Sequence, residues 1–247
     1  MLTGAAIILA TVLTVLAVHS CARKIMHPEP DERTRDLAGS VLFRISALHG
    51  LVLALVFASE VVEYNQLAFE SAVEVNAISD AYYDADRYGE DAQTVRDALR
   101  DYLRTVPNQE WSSLGTSEEL SPQAWAHWST AYTATLDLEP SSARQTALRE
   151  NMLRKIHAIA ENRDLREHHA KSSLGSLFWA AALVGVLLLS IGYYPFPPNR
   201  DNVILLSVFA AYTGFILYTI FAMSNPYSAP AALEPILFLE LMNELGG

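Results

Sequence analysis

The chain has 247 residues, of which 51% are hydrophobic and only 18% charged, with a formal net charge of −11; its mean hydropathy is +0.16. That balance leans away from an ordinary soluble domain, and the acidity argues against a nucleic-acid partner. The single cysteine, Cys21, excludes an intrachain disulfide and any multi-cysteine metal or cluster site.

Four apolar stretches account for the hydropathy: Leu2 to Val18, Val41 to Ser59, Leu174 to Tyr194 and Val203 to Met223. Each is near the length needed to cross a bilayer as a helix. The first has no basic residue before it, and Arg23 and Lys24 follow it, which is the wrong order for a cleaved signal peptide. The VHSC run ending at Cys21 resembles a lipoprotein cleavage box only weakly. Residues 26–40 read as a polar linker with two prolines, in which His27 is a solvated side chain.

Val41 to Tyr83 reads as one unbroken helix, apolar in its first half and acidic in its second, and about 60 Å long. Taking His49 as zero, Leu53, Val56, Glu60, Glu63, Leu67, Glu70 and Glu74 fall within about 60° of one line. A coiled-coil seam wants Leu or Ile where this line repeats Glu. The line is therefore either a solvated face or the wall of an aqueous path ringed by carboxylates from several copies of the helix. His49, deeper than the carboxylates, is a candidate gate or a partner for a neighbouring helix.

Gly89 ends this arm, and residues 90–106 form an amphipathic helix with Val95, Leu99 and Leu103 on one side, broken at Pro107 and Asn108. Residues 109–120 read as a loop or short turn, and Ser121 with Pro122 opens a third helix. Trp111, Trp125, Trp128 and Tyr132 form an aromatic group suited to packing. From Pro140 the pattern continues to Tyr194 without a clear break. Adjacent His168 and His169 lack the spacing that puts two metal ligands on one helix face. A short tail helix around Ile236 to Leu241 lies on the membrane interface or packs on the stalks.

The basic residues Arg23, Lys24, Arg33, Arg35, Arg44 and Arg200 flank the short connections between spans, which places those loops in the cytoplasm. Both termini and residues 60–172 then lie outside, in the periplasm if the source is bacterial. Between Glu60 and Lys171 there are twenty acidic and eleven basic residues, so the acidity sits mainly in this insert.

Three passages resemble the bestrophin-like family, a domain of unknown function in four-span membrane proteins. They are the helix LVLALVFASEVVEYNQLAFESAVEVNAISDAYYDA, the helix end YLRTVPNQEWSSL with Tyr102, Glu110 and Trp111, and the tail with Asn225, Pro226 and Tyr227. Serines and Leu174 at 172–174 stand where the family often has a proline. The resemblance implies kinship with oligomeric ion channels, of which true bestrophins are chiefly anion-selective. The acidic line points toward cations instead.

The expected fold is all-α, an integral membrane protein with four transmembrane helices and an extramembrane helical bundle between spans two and three. Its expected parts are residues 1–59, 60–172 and 173–247. The expected function is an oligomeric, cation-conducting channel of the cell membrane, with His49, Glu60, Glu63, Glu70 and Glu74 lining the pore. Its expected partners are the lipid bilayer, inorganic ions and further copies of the chain, with no cofactor and no metal. A non-conducting sensor or scaffold is the competing expectation, and an enzyme is disfavoured because no catalytic motif is present.

Overall fold

The structure is a computed structural model, described here for residues 2–26, 31–172 and 174–246. His27 and Ser173 lie outside the described residues. Among the described residues the regular structure is entirely helical: α1 (Leu2–Ile25), α2 (Glu32–Tyr88), α3 (Gln93–Thr105), α4 (Trp111–Thr116), α5 (Pro122–Leu136), α6 (Ala143–Lys171), α7 (Ser176–Gly192), α8 (Arg200–Met223) and α9 (Ile236–Glu244). A short 3₁₀ turn precedes α3, and a π-turn, Val106–Glu110, follows it.

The long helix is longer than the apolar pattern predicts. α2 runs for 57 residues, and it stops at Gly89, whose φ of 118° is a conformation that glycine alone adopts cheaply. Helix starts follow local chemistry: the Ser121, Ser142 and Asn199 side chains accept from Ala124 N, Gln145 N and Asn202 N.

Two expectations are corrected. Pro107 does not break the chain into a loop. The helix widens there into the π-turn and continues directly as α4, because the wider turn absorbs the missing proline donor and the bulk of its ring. The stretch from 140 to 194 is not one helix: α6 ends at Lys171, Ser172 is extended, and α7 begins only after Gly175.

The chain divides into two compact units, 1–61 with 174–224, and 62–173 with 225–247. In the first, α1 packs on α8 and α7 around Val15, Leu53, Ala182, Val186, Leu206, Ala210, Leu217 and Ile220. His19 Nε2 lies 3.2 Å from Phe196 O, and Arg23 Nη1 donates to Tyr194 O at 3.1 Å, so α1 holds the turn between α7 and α8. The outer surface of this unit is apolar, with Leu13, Phe43, Leu55, Leu183, Leu205 and Phe215 all more than half exposed. Such a surface suits lipid better than water. Among the described residues four stretches are long and apolar enough to cross a membrane: α1, α2, residues 143–192 and α8.

The second unit is a helical bundle in which α3 packs on α5 and α5 on α6. Val95, Leu99 and Leu103 are buried, as their spacing predicts, beside Met152, Ile156 and Ile159 of α6. The tail belongs to this core: Phe238 and Leu241 of α9 are buried in it, and Tyr83 OH donates to Glu244 Oε1 at 2.6 Å.

Candidate functional site: the acidic face of α2 and its partners

The line of residues predicted on α2 shares one face, but most of that face is turned into the chain itself. In the first unit His49 is buried, and a Cβ built at Gly185 of α7 would run into its imidazole. Gly185 thus makes the notch that the ring occupies. His49 Nε2 is buried without a hydrogen-bond partner, Leu53 belongs to the apolar core, and Glu60 is buried too. In the second unit Glu63 is exposed, whereas Leu67, Glu70 and Glu74 are buried.

The two buried carboxylates that the α2 line contributes to the second unit both have hydrogen-bond partners. Glu70 accepts from Gln66 Nε2 at 2.8 Å and lies 3.0 Å from His169 Nε2. Glu74 is fully buried and accepts from Arg166 Nε at 2.7 Å, from Arg166 Nη2 at 3.0 Å and from Tyr102 OH at 2.6 Å. Within its own unit this carboxylate faces protein partners and not a water-filled space.

Glu110 extends the same network. Arg166 Nη2 donates to its Oε1 at 2.9 Å, while Arg163 Nη2 and the Ser121 backbone N–H donate to its Oε2 at 2.8 and 2.7 Å. Arg163 Nη2 also reaches Ser121 O at 2.8 Å. Two guanidinium groups therefore balance two carboxylates inside the bundle, the condition under which buried charge is tolerated. The Arg166 group also lies 5.7 Å from the ring centres of both Trp111 and Phe238, within cation–π range.

Burial pushes the Glu74 carboxyl above its ordinary value, against the opposing pull of Arg166. Burial likewise drives the Tyr102 phenol well up, helped by the neighbouring Glu74 charge. For Arg166 burial acts downward, but Glu74, Tyr102 and Glu110 outweigh it and hold the group firmly protonated. The network is enclosed, with two guanidinium groups set against two carboxylates.

The residues singled out by family resemblance meet around this network. Trp111 packs edge-on to Tyr227, with ring centres 5.2 Å apart, and its Nε1 donates to Leu233 O at 2.7 Å. Tyr227 OH donates to Arg166 O at 3.2 Å, and Tyr227 N donates to Asn225 Oδ1 at 3.2 Å. Pro226 O accepts from Leu233 N at 2.7 Å and closes the tail turn. Tyr102, Glu110, Trp111, Asn225, Pro226 and Tyr227 thus share one structural task, which is to seat the tail and π-turn on α6.

Sequence reasoning missed Arg163 and Arg166. The signal was present: Met152, Ile156, Ile159, Arg163, Arg166 and Ala170 repeat at spacings of four and three, and all are buried. Two arginines in an otherwise apolar line announce buried acidic partners. Among the described residues no group of three or more His, Cys, Asp or Glu side chains is placed to hold a metal ion.

The model of a family described as the bestrophin-like domain matches residues 9–236. Among solved structures, the crystal structure of a point-substituted bacterial bestrophin homolog from Klebsiella pneumoniae is similar at TM-score 0.68 and 12% identity. The match covers 97% of this chain and 99% of that one. No curated protein matches.

Proposed function

The chain belongs to the bestrophin-like domain family, and from that membership we propose that it is a homo-oligomeric, cation-conducting channel of a lipid bilayer. The observation that carries the reading is the shared fold, which extends over nearly the whole of this chain and of a bestrophin homolog. Four apolar stretches of spanning length and an apolar outer surface on the first unit support the membrane setting. In this reading residues 60–172 form an extramembrane bundle, and both termini lie on its side of the membrane.

Cation preference is supported by the surplus of acidic residues between Glu60 and Lys171 and by Glu63, the exposed carboxylate of the α2 line. A ring of such groups at a pore mouth concentrates cations and repels anions. Glu63, with Glu60 one turn away, is the proposed selectivity element. His49, Glu70 and Glu74, packed inside their units, brace α2 from behind.

Planar-bilayer recording of purified protein tests this. A potassium chloride gradient should give a reversal potential on the cation side, and Glu63→Gln should move it toward zero. A protein that conducts nothing, or that prefers chloride, ends the proposal.

A further inference from the structure

In the second unit four polar contacts tie α2 to α6 like rungs. Asn151 Nδ2 donates to Asp84 Oδ2, Lys155 Nζ lies 2.7 Å from Asp80 Oδ2, Arg166 grips Glu74, and His169 Nε2 lies 3.0 Å from Glu70 Oε2. As the residue number rises along α6 it falls along α2. The two helices are therefore antiparallel partners, joined in order from Asp84 down to Glu70.

The rungs differ in what a proton does to the α6 partner. An amide carries no charge, and lysine and arginine keep theirs across the physiological range. Histidine alone of the four changes charge between about pH 5 and 8. It stands on the last rung, two residues before α6 ends at Lys171 and the chain passes through an extended Ser172. Helix ends open more readily than helix middles, so the rung that a proton alters is also the one whose loosening costs least.

Glu70 is set to respond to that charge. Its Oε1 accepts from Gln66 Nε2 at 2.8 Å, which leaves Oε2 to His169, and the two side chains keep only 11% and 13% of their surface exposed. Salt screens such a pair less than one in open water. The neighbouring charges are engaged elsewhere or face out: on α2 Glu74 is held by Arg166 and Glu63 is exposed, and on α6 Glu167 pairs with Lys171 at 2.7 Å. His168 is exposed, with its ring centre 6.2 Å from that of His169. In the tail turn the Tyr227 phenol donates to Arg166 O, and burial keeps it protonated.

We propose that Glu70 and His169 form a proton-operated latch. When His169 is charged, an ion pair closes the last turn of α6 onto α2. When it is neutral, only an uncharged donor faces Glu70, and that turn loosens while the other three rungs keep the rest of the helix pair shut. This end of the bundle therefore tightens as pH falls through the histidine range. The latch belongs to the bundle unit alone and does not rest on conduction.

Hydrogen–deuterium exchange of the full-length protein in lipid nanodiscs, read by mass spectrometry at about pH 5.5 and about pH 8 and corrected for the chemical exchange rate, tests the latch. Peptides within 164–171 should exchange about threefold faster at the higher pH, the factor that an ion pair near a protein surface supplies. Peptides within 148–158, which carry the Asn151 and Lys155 rungs, should not change. His169→Gln and Glu70→Gln should each remove the difference, and His169→Lys, whose charge is fixed, should stay slow at both values. Protection at 148–158 reports the fold of each variant, so a substitution that unfolds the bundle is recognised there and the other two decide. Equal exchange at both pH values in the parent, a difference that survives in His169→Gln, as titration of Glu74 would leave, or a difference shared equally by 148–158 would each overturn the proposal.

Discussion

Arg166 grips Glu74 through two parallel hydrogen bonds, Nε to Oε2 at 2.7 Å and Nη2 to Oε1 at 3.0 Å, across 92 positions of chain. Both side chains are fully buried, and the same guanidinium holds Glu110. Removing it leaves Glu74 with only the Tyr102 hydroxyl and takes one of the two guanidinium partners from Glu110. Arg166→Met should therefore destabilise the unit by about 3–5 kcal/mol, the range for a buried pair broken on one side. Thermal unfolding in detergent, followed by circular dichroism, reads this directly.

Tyr102 adds a shorter link to the same carboxylate, 2.6 Å from its hydroxyl to Glu74 Oε1. Tyr102→Phe deletes that donor and a longer contact, 3.4 Å, that the hydroxyl accepts from Arg166 Nη2. Because the acceptor is charged, the loss should be about 1.5–3 kcal/mol, with helix content unchanged. A variant as stable as the parent would mean that a water takes the hydroxyl's place.

The raised Glu74 carboxyl gives a pH signature. Burial lifts it above its ordinary 4.5, so the folded bundle holds this proton more tightly than the unfolded chain does. Stability from this group is fully present below the ordinary carboxylate value and declines as pH rises through the raised one. Melts in that window should show the parent losing stability relative to Glu74→Gln with rising pH. The opposite slope would show that Arg166 outweighs burial.

In the first unit the notch at Gly185 predicts a coupling. Gly185→Ala drives a methyl into the His49 ring and should cost about 1–3 kcal/mol, as overpacking does. Adding His49→Ala vacates the space, so the double variant should recover most of the loss. A double-mutant cycle measures that recovery.

The spans and the long second helix were legible because apolar length and an absence of proline are direct physical signals. The helix interruption at 172–175 was not, since serine and glycine are weak breakers and an apolar run resumes at once. Pro107 misled for a different reason: the breaking rule assumes an ordinary α-turn, and here the turn widened. The carboxylate line shows the limit of periodicity, which ranks residues onto a face but does not name what the face meets. Its partners lay in the returning helix, where Arg163 and Arg166 interrupt a run of buried apolar residues. Reading the two lines together would have paired them.

The tail turn and α9 complete a unit whose other residues are 62–173, and α7 and α8 intervene in the chain. Synthesis therefore delivers most of the bundle early and its closing piece only after α7 and α8. Until residues 225–246 emerge, the ribosome-bound intermediate has Trp111 without Tyr227 and Phe238, and the floor under Arg166 stands open to water. A carboxy-terminal truncation before Phe238 would make that unfinished state permanent.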